Sequence, residues 1–271
     1  MKFFEEQLFA SDGLPLQAYR WIPSKAHAAV VLSHGWSEHA GRYHELAAWL
    51  ASKGYEVHAI DHRGHGKSGG KRGHVRKWVE YSRDLEQLRQ TVEPDHQYLL
   101  GHSMGGMIAT LHLMDYPGRF KAAALSGPAA DLSYKVPQVK VWVSRALSAW
   151  APSFCLAGDV DAAMVCGNED IVQSYANDPY THGQVSVRWF VDYMRMIDRV
   201  KREAPRIATP VGIWHGEGDS LVAPWVSEAL FERLQSAERQ REVVEGALHE
   251  ILFEKNWRQT AKRMLDWLEL Y

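Results

Sequence analysis

Short apolar runs alternate with segments of helical spacing along this chain. The runs are Ala29-Val30-Val31-Leu32-Ser33, Tyr55 to Ile60, Gln97 to Leu100, Ala122 to Leu125, Val211 to Trp214 and Glu242 to Val244. Each is short and rich in residues that fit a buried strand. Between them lie helical stripes: Leu46, Trp49 and Leu50, stopped by Lys53-Gly54; Leu85, Leu88 and Val92; and Met264, Trp267 and Leu268 within Trp257 to Leu270. Gly just past an apolar stripe is a common helix stop. Strands alternating with helices predict a mostly parallel sheet covered by helices on both faces. Phe3 to Phe9, a Ser-Asp-Gly turn, then Leu14 to Ile22 instead predict an antiparallel hairpin at the sheet edge.

The rhythm breaks between residues 131 and 200. No clear strand is expected there, and several helical patterns are. Val139, Trp142, Val143, Ala146, Leu147 and Trp150 share one helical face, while Lys140, Ser144 and Ser148 share the other. The expected organisation is a core domain of residues 1–130 and 201–271, with residues 131–200 as an inserted helical cap. Two readings of the apolar face stand side by side. It packs on the core, or it lines an acyl site and touches a membrane or micelle surface.

Composition narrows the function classes. The chain has 271 residues, 46% of them hydrophobic, which is enough for a sizeable core. Thirty-one Lys and Arg face 33 Asp and Glu, so no basic footprint for nucleic acid is present. Glu5 and Glu6 interrupt any signal-peptide core, and no apolar run is long enough to span a bilayer. With only Cys155 and Cys166, the expectation is a cytoplasmic protein with two free thiols. None of the fourteen histidines sits in a trusted zinc spacing, so neither a metal nor an organic cofactor is expected.

The chemistry centres on GHSMGG, residues 101–106, between the apolar run Tyr98-Leu99-Leu100 and the helix-like MGGMIATLHLM. A strand that turns sharply into a helix strains the residue at the turn. Gly101 and Gly105 relieve crowding there, and the turn lifts Ser103 to the top of the sheet. The N–H of Met104 is then free to meet an oxyanion. A serine hydroxyl needs a base, and the base needs an orienting acid, in the chain order Ser, acid, His. WHGEGDSLV supplies Asp219 and EGALHE supplies His249, each in a loop after a strand. Glu217, Asp159, Asp161 and Asp170 are the competing acids. The second oxyanion donor is expected from HGWSEHAGRY, as the N–H of Trp36, whose side chain would wall the site. His102, His34, His39 and His215 are read as structural neighbours, and Asp61-His62-Arg63-Gly64 as a polar network at a strand end.

HGWSEHAGRY, DHRGHGKSGG, GHSMGG, SYANDPYTHGQVSVRWFVDYMRM, WHGEGDSLV and LHEILFE together resemble the monoacylglycerol lipase and lysophospholipase branch of the α/β-hydrolase superfamily. The matches run in order from Gly35 to Glu254. The resemblance implies an α/β-hydrolase fold, Ser103 as nucleophile with His249 and Asp219, and Trp36 and Met104 as oxyanion donors. Trp36 departs from the small residue usual at that position, which bears on pocket size. The implied reaction is hydrolysis of a small acyl ester, monoacylglycerol first, with lysophospholipid or a short-chain ester as alternatives. A serine aminopeptidase would need an acidic pocket, for which Asp159, Asp161, Glu169 and Asp170 are available. A non-catalytic binding relative would normally have lost a triad member, and none is missing. Trp36, Trp142, Leu147 and Trp150 are the expected substrate-binding residues. Oligomeric state is left open.

Overall fold

The computed structural model of the chain describes residues 1–158 and 161–271. In chain order the strands and helices are β1 (Lys2–Phe9), β2 (Pro15–Ile22), β3 (Ala28–Ser33), α1 (His44–Ser52), β4 (Tyr55–Ile60), α2 (Val79–Gln90), β5 (Gln97–His102), α3 (Met104–Asp115) and β6 (Ala123–Ser126). There follow α4 (Gln138–Trp150), β7 (Cys155–Ala157), α5 (Glu169–Asn177), β8 (Gln184–Ser186), α6 (Val187–Glu203), β9 (Val211–Gly216), α7 (Pro224–Arg233), β10 (Arg239–Val244) and α8 (Trp257–Leu268).

Eight strands form one sheet in the order β1-β2-β4-β3-β5-β6-β9-β10. The hairpin β1–β2 is antiparallel and joins β4 antiparallel, and every other pairing is parallel. The central strands are buried on both faces, which is why they read as continuous apolar runs and not as alternating ones. Successive residues of β3 serve opposite layers. Ala29 and Val31 belong to the core beneath α2, α3, α6 and α7, and Val30 and Leu32 to the core beneath α1 and α8. The edge strand β1 is largely exposed, as a hairpin outside the helical cover would be.

Three sequence expectations need correction. Two short strands do lie between residues 131 and 200: β7 and β8 pair antiparallel, Cys155 opposite Ser186. Three residues are too few for an alternation signal. Val92 lies beyond the end of α2. Thr91 closes that helix, its hydroxyl donating to Leu88 O at 2.7 Å. Of the two readings of the α4 apolar face, packing on the core is overturned. Val139, Trp142, Val143 and Trp150 are exposed, Trp150 at 91%, whereas Val141 and Ser148 are buried.

The segment over the sheet is bonded to it at many points. Trp78 donates its N–H to Asp192 Oδ2 and its Nε1–H to Trp189 O. His39 Nε2 meets Asp178 Oδ2 at 2.8 Å, and Ser37 donates its hydroxyl to His182 O. Cys155 and Cys166 are both free. Among the described residues no helix is long and apolar enough to cross a membrane.

Candidate active site

β5 ends at His102 and α3 begins at Met104, leaving Ser103 alone at the turn with φ 52° and ψ −115°. Such a backbone is rare for a residue with a side chain and is held only by its surroundings. Ser103 N–H donates to Ser126 O at 2.9 Å, and Ser103 O accepts from Ala129 N at 3.0 Å. The two flanking glycines are required for different reasons. A Cβ on Gly101 would crowd Gly105 O and Ala109, whereas one on Gly105 would collide with the Ser33 and His34 carbonyls of the neighbouring strand end. The clash avoided is therefore with β3 as much as between the two flanks.

Asp219 lies three residues past the end of β9, and His249 in the loop after β10. The structure brings both to Ser103. Ser103 Oγ lies 2.8 Å from His249 Nε2, and His249 Nδ1 lies 2.6 Å from Asp219 Oδ2. A carboxylate only accepts, so it holds the ring proton on Nδ1 and leaves Nε2 to accept from the hydroxyl. Asp219 Oδ1 accepts from the N–H groups of Leu221 and Val222, both at 2.9 Å. The two loops are stitched together, with Gly218 N–H donating to Ala247 O and Glu217 N–H to Val244 O.

The electrostatics follow from these contacts. His249 is fully buried, which disfavours its charged form, yet the Asp219 carboxylate against Nδ1 raises its pKa above the ordinary value. Asp219 is held well below the usual carboxylate range: its hydrogen bonds and the charge of His249 outweigh burial. His102, its ring 4.9 Å from that of His249, is pushed down to about 3 by burial and by His249. It pairs through Nδ1 with Ser126 Oγ and stays neutral.

Gly35 follows the end of β3 so closely on Ser103 that an added Cβ would lie 3.3 Å from Ser103 Cβ. Trp36, the next residue, lines the same cavity as Ser103. Among the described residues, neither the Trp36 N–H nor the Met104 N–H donates to a protein acceptor. Met104 is the first residue of α3, where N–H groups have no partner within the helix and the dipole favours negative charge. The Trp36 ring packs edge-on against His182 and lies against Gly158, and among the described residues its buried Nε1–H has no partner.

A cavity of about 490 Å³ opens over Ser103. Its lining has two characters. Trp78, Trp189 and Tyr193 form an aromatic group with ring centroids 4.8 to 5.2 Å apart, joined by Phe190, Leu132 and Val185. Glu38, Glu250 and Tyr175 gather around Arg42. Trp36 and Met104 line the cavity. Trp142, Leu147 and Trp150 do not: Lys140 and Ser144 line it from the other face of α4. Glu217 is exposed and accepts from Gly246 N–H, Asp161 caps a single turn through Ala163 N–H, and Asp170 is exposed at the start of α5. Asp159 lies outside the described residues.

Around the site, His215 and the Asp61–Arg63 segment take the supporting places expected of them, whereas Glu38, Arg42, Glu250 and Glu254 had no role in the sequence reading. His215 Nε2 lies 2.9 Å from Asp219 Oδ2, and Glu254 accepts the N–H groups of Leu248 and Gly167, bracing the histidine loop. Glu38 and Arg42 stand at i and i+4 within HGWSEHAGRY, and Glu250 directly follows His249. That spacing was the available signal. Arg63, at the end of β4, pairs with Asp84, Glu80 and Asp12, and Asp61 accepts from Ala40 and Lys67 N–H groups, a polar cluster behind the site.

The sheet order, the strained serine between strand and helix, and the Ser–His–Asp contacts from three loops define an α/β-hydrolase. Residues 24–256 match the family described as "Serine aminopeptidase, S33". The chain is 34% identical over 254 residues to a monoacylglycerol lipase of Mycolicibacterium smegmatis, covering 92% of this chain and 90% of that one. It is 31% identical to a human monoglyceride lipase, over 89% of this chain and 82% of that protein. The crystal structure of a Paleococcus ferrophilus monoacylglycerol lipase superposes with a TM-score of 0.85 at 29% identity, covering 99% of this chain and 98% of the other. The chain belongs to this serine-hydrolase family of the α/β-hydrolase superfamily.

Proposed function

We propose that the chain hydrolyses single-chain acyl esters, foremost monoacylglycerols, through an acyl-enzyme on Ser103. The observation that carries this reading is one cavity with two linings meeting at a hydrogen-bonded Ser103–His249–Asp219 row. The aromatic lining suits an acyl chain, and the Glu38–Glu250 lining suits the hydroxyls of a small alcohol. A volume of about 490 Å³ is that of a site for one small ligand. The monoacylglycerol lipases among the relatives support the same substrate.

Ser103 Oγ attacks the ester carbonyl as His249 Nε2 takes its proton. The N–H groups of Trp36 and Met104 donate to the oxygen that gains negative charge. Asp219 keeps the imidazole in the right tautomer and stabilises the imidazolium. The departing alkoxide takes the proton from His249. Water, deprotonated by the same nitrogen, then frees the fatty acid and restores the serine.

The aminopeptidase description of the family raises a second reading. Asp161, Glu169 and Asp170 stand away from the cavity lining. The carboxylates that do line it, Glu38 and Glu250, are both engaged by Arg42. That pairing favours an uncharged alcohol over a substrate ammonium.

The outer face of α4 docks on an anionic lipid surface. From Leu132 to Gly158 the chain has Lys135, Lys140 and Arg145 and no Asp or Glu, although the whole protein is at −2. Val139, Trp142, Trp150, Phe154 and Leu156 are exposed in that stretch. Exposed aromatics with cationic neighbours fit the headgroup region of an anionic bilayer.

The test is hydrolysis of glycerol monoesters of increasing acyl length, with an aminoacyl p-nitroanilide beside them and Ser103→Ala as control. Rates that peak at medium or long chains and vanish in the variant are expected. Cleavage of the anilide alone, or equal rates in Ser103→Ala, would overturn the reading.

A further inference from the structure

Beside the reacting residues a buried ion cluster joins the loop that carries Trp36 to the loop that carries His249. Glu38 Oε1 accepts from Gly35 N–H at 2.6 Å and from the Tyr43 hydroxyl at 2.7 Å. Glu38 Oε2 faces Arg42 Nη1 at 2.5 Å. Arg42 then grips Glu250 with both terminal nitrogens, at 2.6 and 2.8 Å. Its guanidinium lies 4.8 Å from the Tyr175 ring centre and 4.6 Å from that of Phe253. All three charged side chains are nearly closed to solvent, at 2%, 8% and 4%. Glu250 is anchored at its backbone too, its N–H donating to Val165 O at 2.7 Å.

Two carboxylates around one guanidinium leave the cluster with a net charge of −1, one residue from the imidazole that must become positive during turnover. We infer that Glu250, held by Arg42, is a positioning residue that supports the imidazolium of His249 and ties its loop to the oxyanion loop. The inference rests on Ser103 and His249 being the reacting pair.

The groups around His249 set the sign. Asp219 bonds its Nδ1, with His215 sharing the same carboxylate oxygen from behind. His102 is neutral. Asp219, Glu250 and Glu38, in that order, favour the charged ring against burial, while Arg42 pairs with both glutamates and carries one charge against their two. In a buried site such charges act with little screening. Removing one should make His249 a weaker base and its imidazolium less stable. The fork geometry has a separate use: Arg42 orders both loops only while it holds both carboxylates, and Lys lacks the planar fork.

Two variants separate charge from posture. Glu250→Gln keeps the volume and an acceptor for Arg42 but removes the charge, and Arg42→Lys keeps the charge and removes the fork. Both are assayed against p-nitrophenyl butyrate, which has no glycerol, across about pH 5 to 9. Thermal melts and fluorophosphonate titration count folded sites. For E250Q the acid limb of kcat/KM is expected to move down by roughly half a pH unit, with kcat about 3- to 10-fold lower and KM little changed. Glu250→Asp should restore most of the limb. For R42K the limb should stay and kcat should fall. An E250Q limb superposed on the wild type would overturn the charge role, and wild-type kcat in R42K would overturn the coupling. A wild-type E250Q profile on p-nitrophenyl butyrate, with the defect confined to KM on monoacylglycerol, would leave Glu250 an alcohol contact alone and overturn the inference. Wild-type hydrolysis by Ser103→Ala would instead sink the reading of the site itself, whatever the Glu250 profile.

Discussion

Ser103 has the His249 imidazole 2.8 Å away and its backbone already bent into the turn at the end of β5. Replacing it with Ala should lower turnover by about 10⁶-fold, as loss of the nucleophile does in a comparable triad. The same variant should lose all labelling by a fluorophosphonate, read by intact-mass spectrometry. Asp219→Asn offers an N–H or a carbonyl where a carboxylate pinned the tautomer. A fall of about 10⁴-fold in kcat with little change in melting temperature is expected. The proposed mechanism needs His249 neutral and its pKa is raised, so activity should be lost as the pH falls through a midpoint above the ordinary histidine value. A pH–rate profile with its acid midpoint below about 6.5 would contradict that environment.

At the scale of elements, β3, β5 and α3 meet too closely for any side chain at Gly105. Gly105→Ala would drive a methyl into the Ser33 carbonyl, which backbone cannot yield cheaply. The expected cost is at least about 1–3 kcal/mol, read by urea unfolding, together with loss of activity as the turn shifts. Helix α4 presents a different case. Its exposed stripe contributes nothing to the core, so Trp142→Ser with Trp150→Ser should leave the melting temperature nearly unchanged. The same pair should slow hydrolysis on anionic vesicles while sparing a soluble short-chain ester. Equal rates on vesicles would remove the lipid-surface reading. The periodicity of Val139, Trp142, Val143 and Trp150 was plain in the sequence, but periodicity only sorts a helix into two faces. Which face turns inward depends on what lies beneath, and beneath α4 lie α6, which covers Val141 and Ser148, and the cavity, which Lys140 and Ser144 face.

Across the whole molecule, buried ion clusters tie distant segments. Arg63 reaches Asp84 and Glu80 on α2 and Asp12 in the hairpin turn, with Asp84 fully closed to solvent. Arg63→Met would strand those carboxylates and should cost about 3–5 kcal/mol, checked by chemical denaturation. The positions of most strands, the edge hairpin and the approximate helices were legible because burial on both faces writes itself into sequence as unbroken apolar runs. Ser103, Asp219 and His249 were legible for another reason: each sits in a loop directly after such a run, where short Gly-rich turns mark the end of a strand. Arg42, Glu250 and Glu254 were not legible, since a buried charge and a solvated one look alike until their partners are located.

The sequence by itself determined the local matters: where strands end, where glycine is obligatory, and which side chains can donate, accept or take a proton. Those depend on the chemistry of each residue and its near neighbours. Only the tertiary structure decided which groups touch. Arg42 lies 208 positions from Glu250, and Ser103 lies 146 from His249. Contacts across such separations arise from how the strands are ordered in the sheet, a cooperative result of burying all the apolar runs at once. The same packing turned the polar face of α4 toward the cavity and left its tryptophans outside.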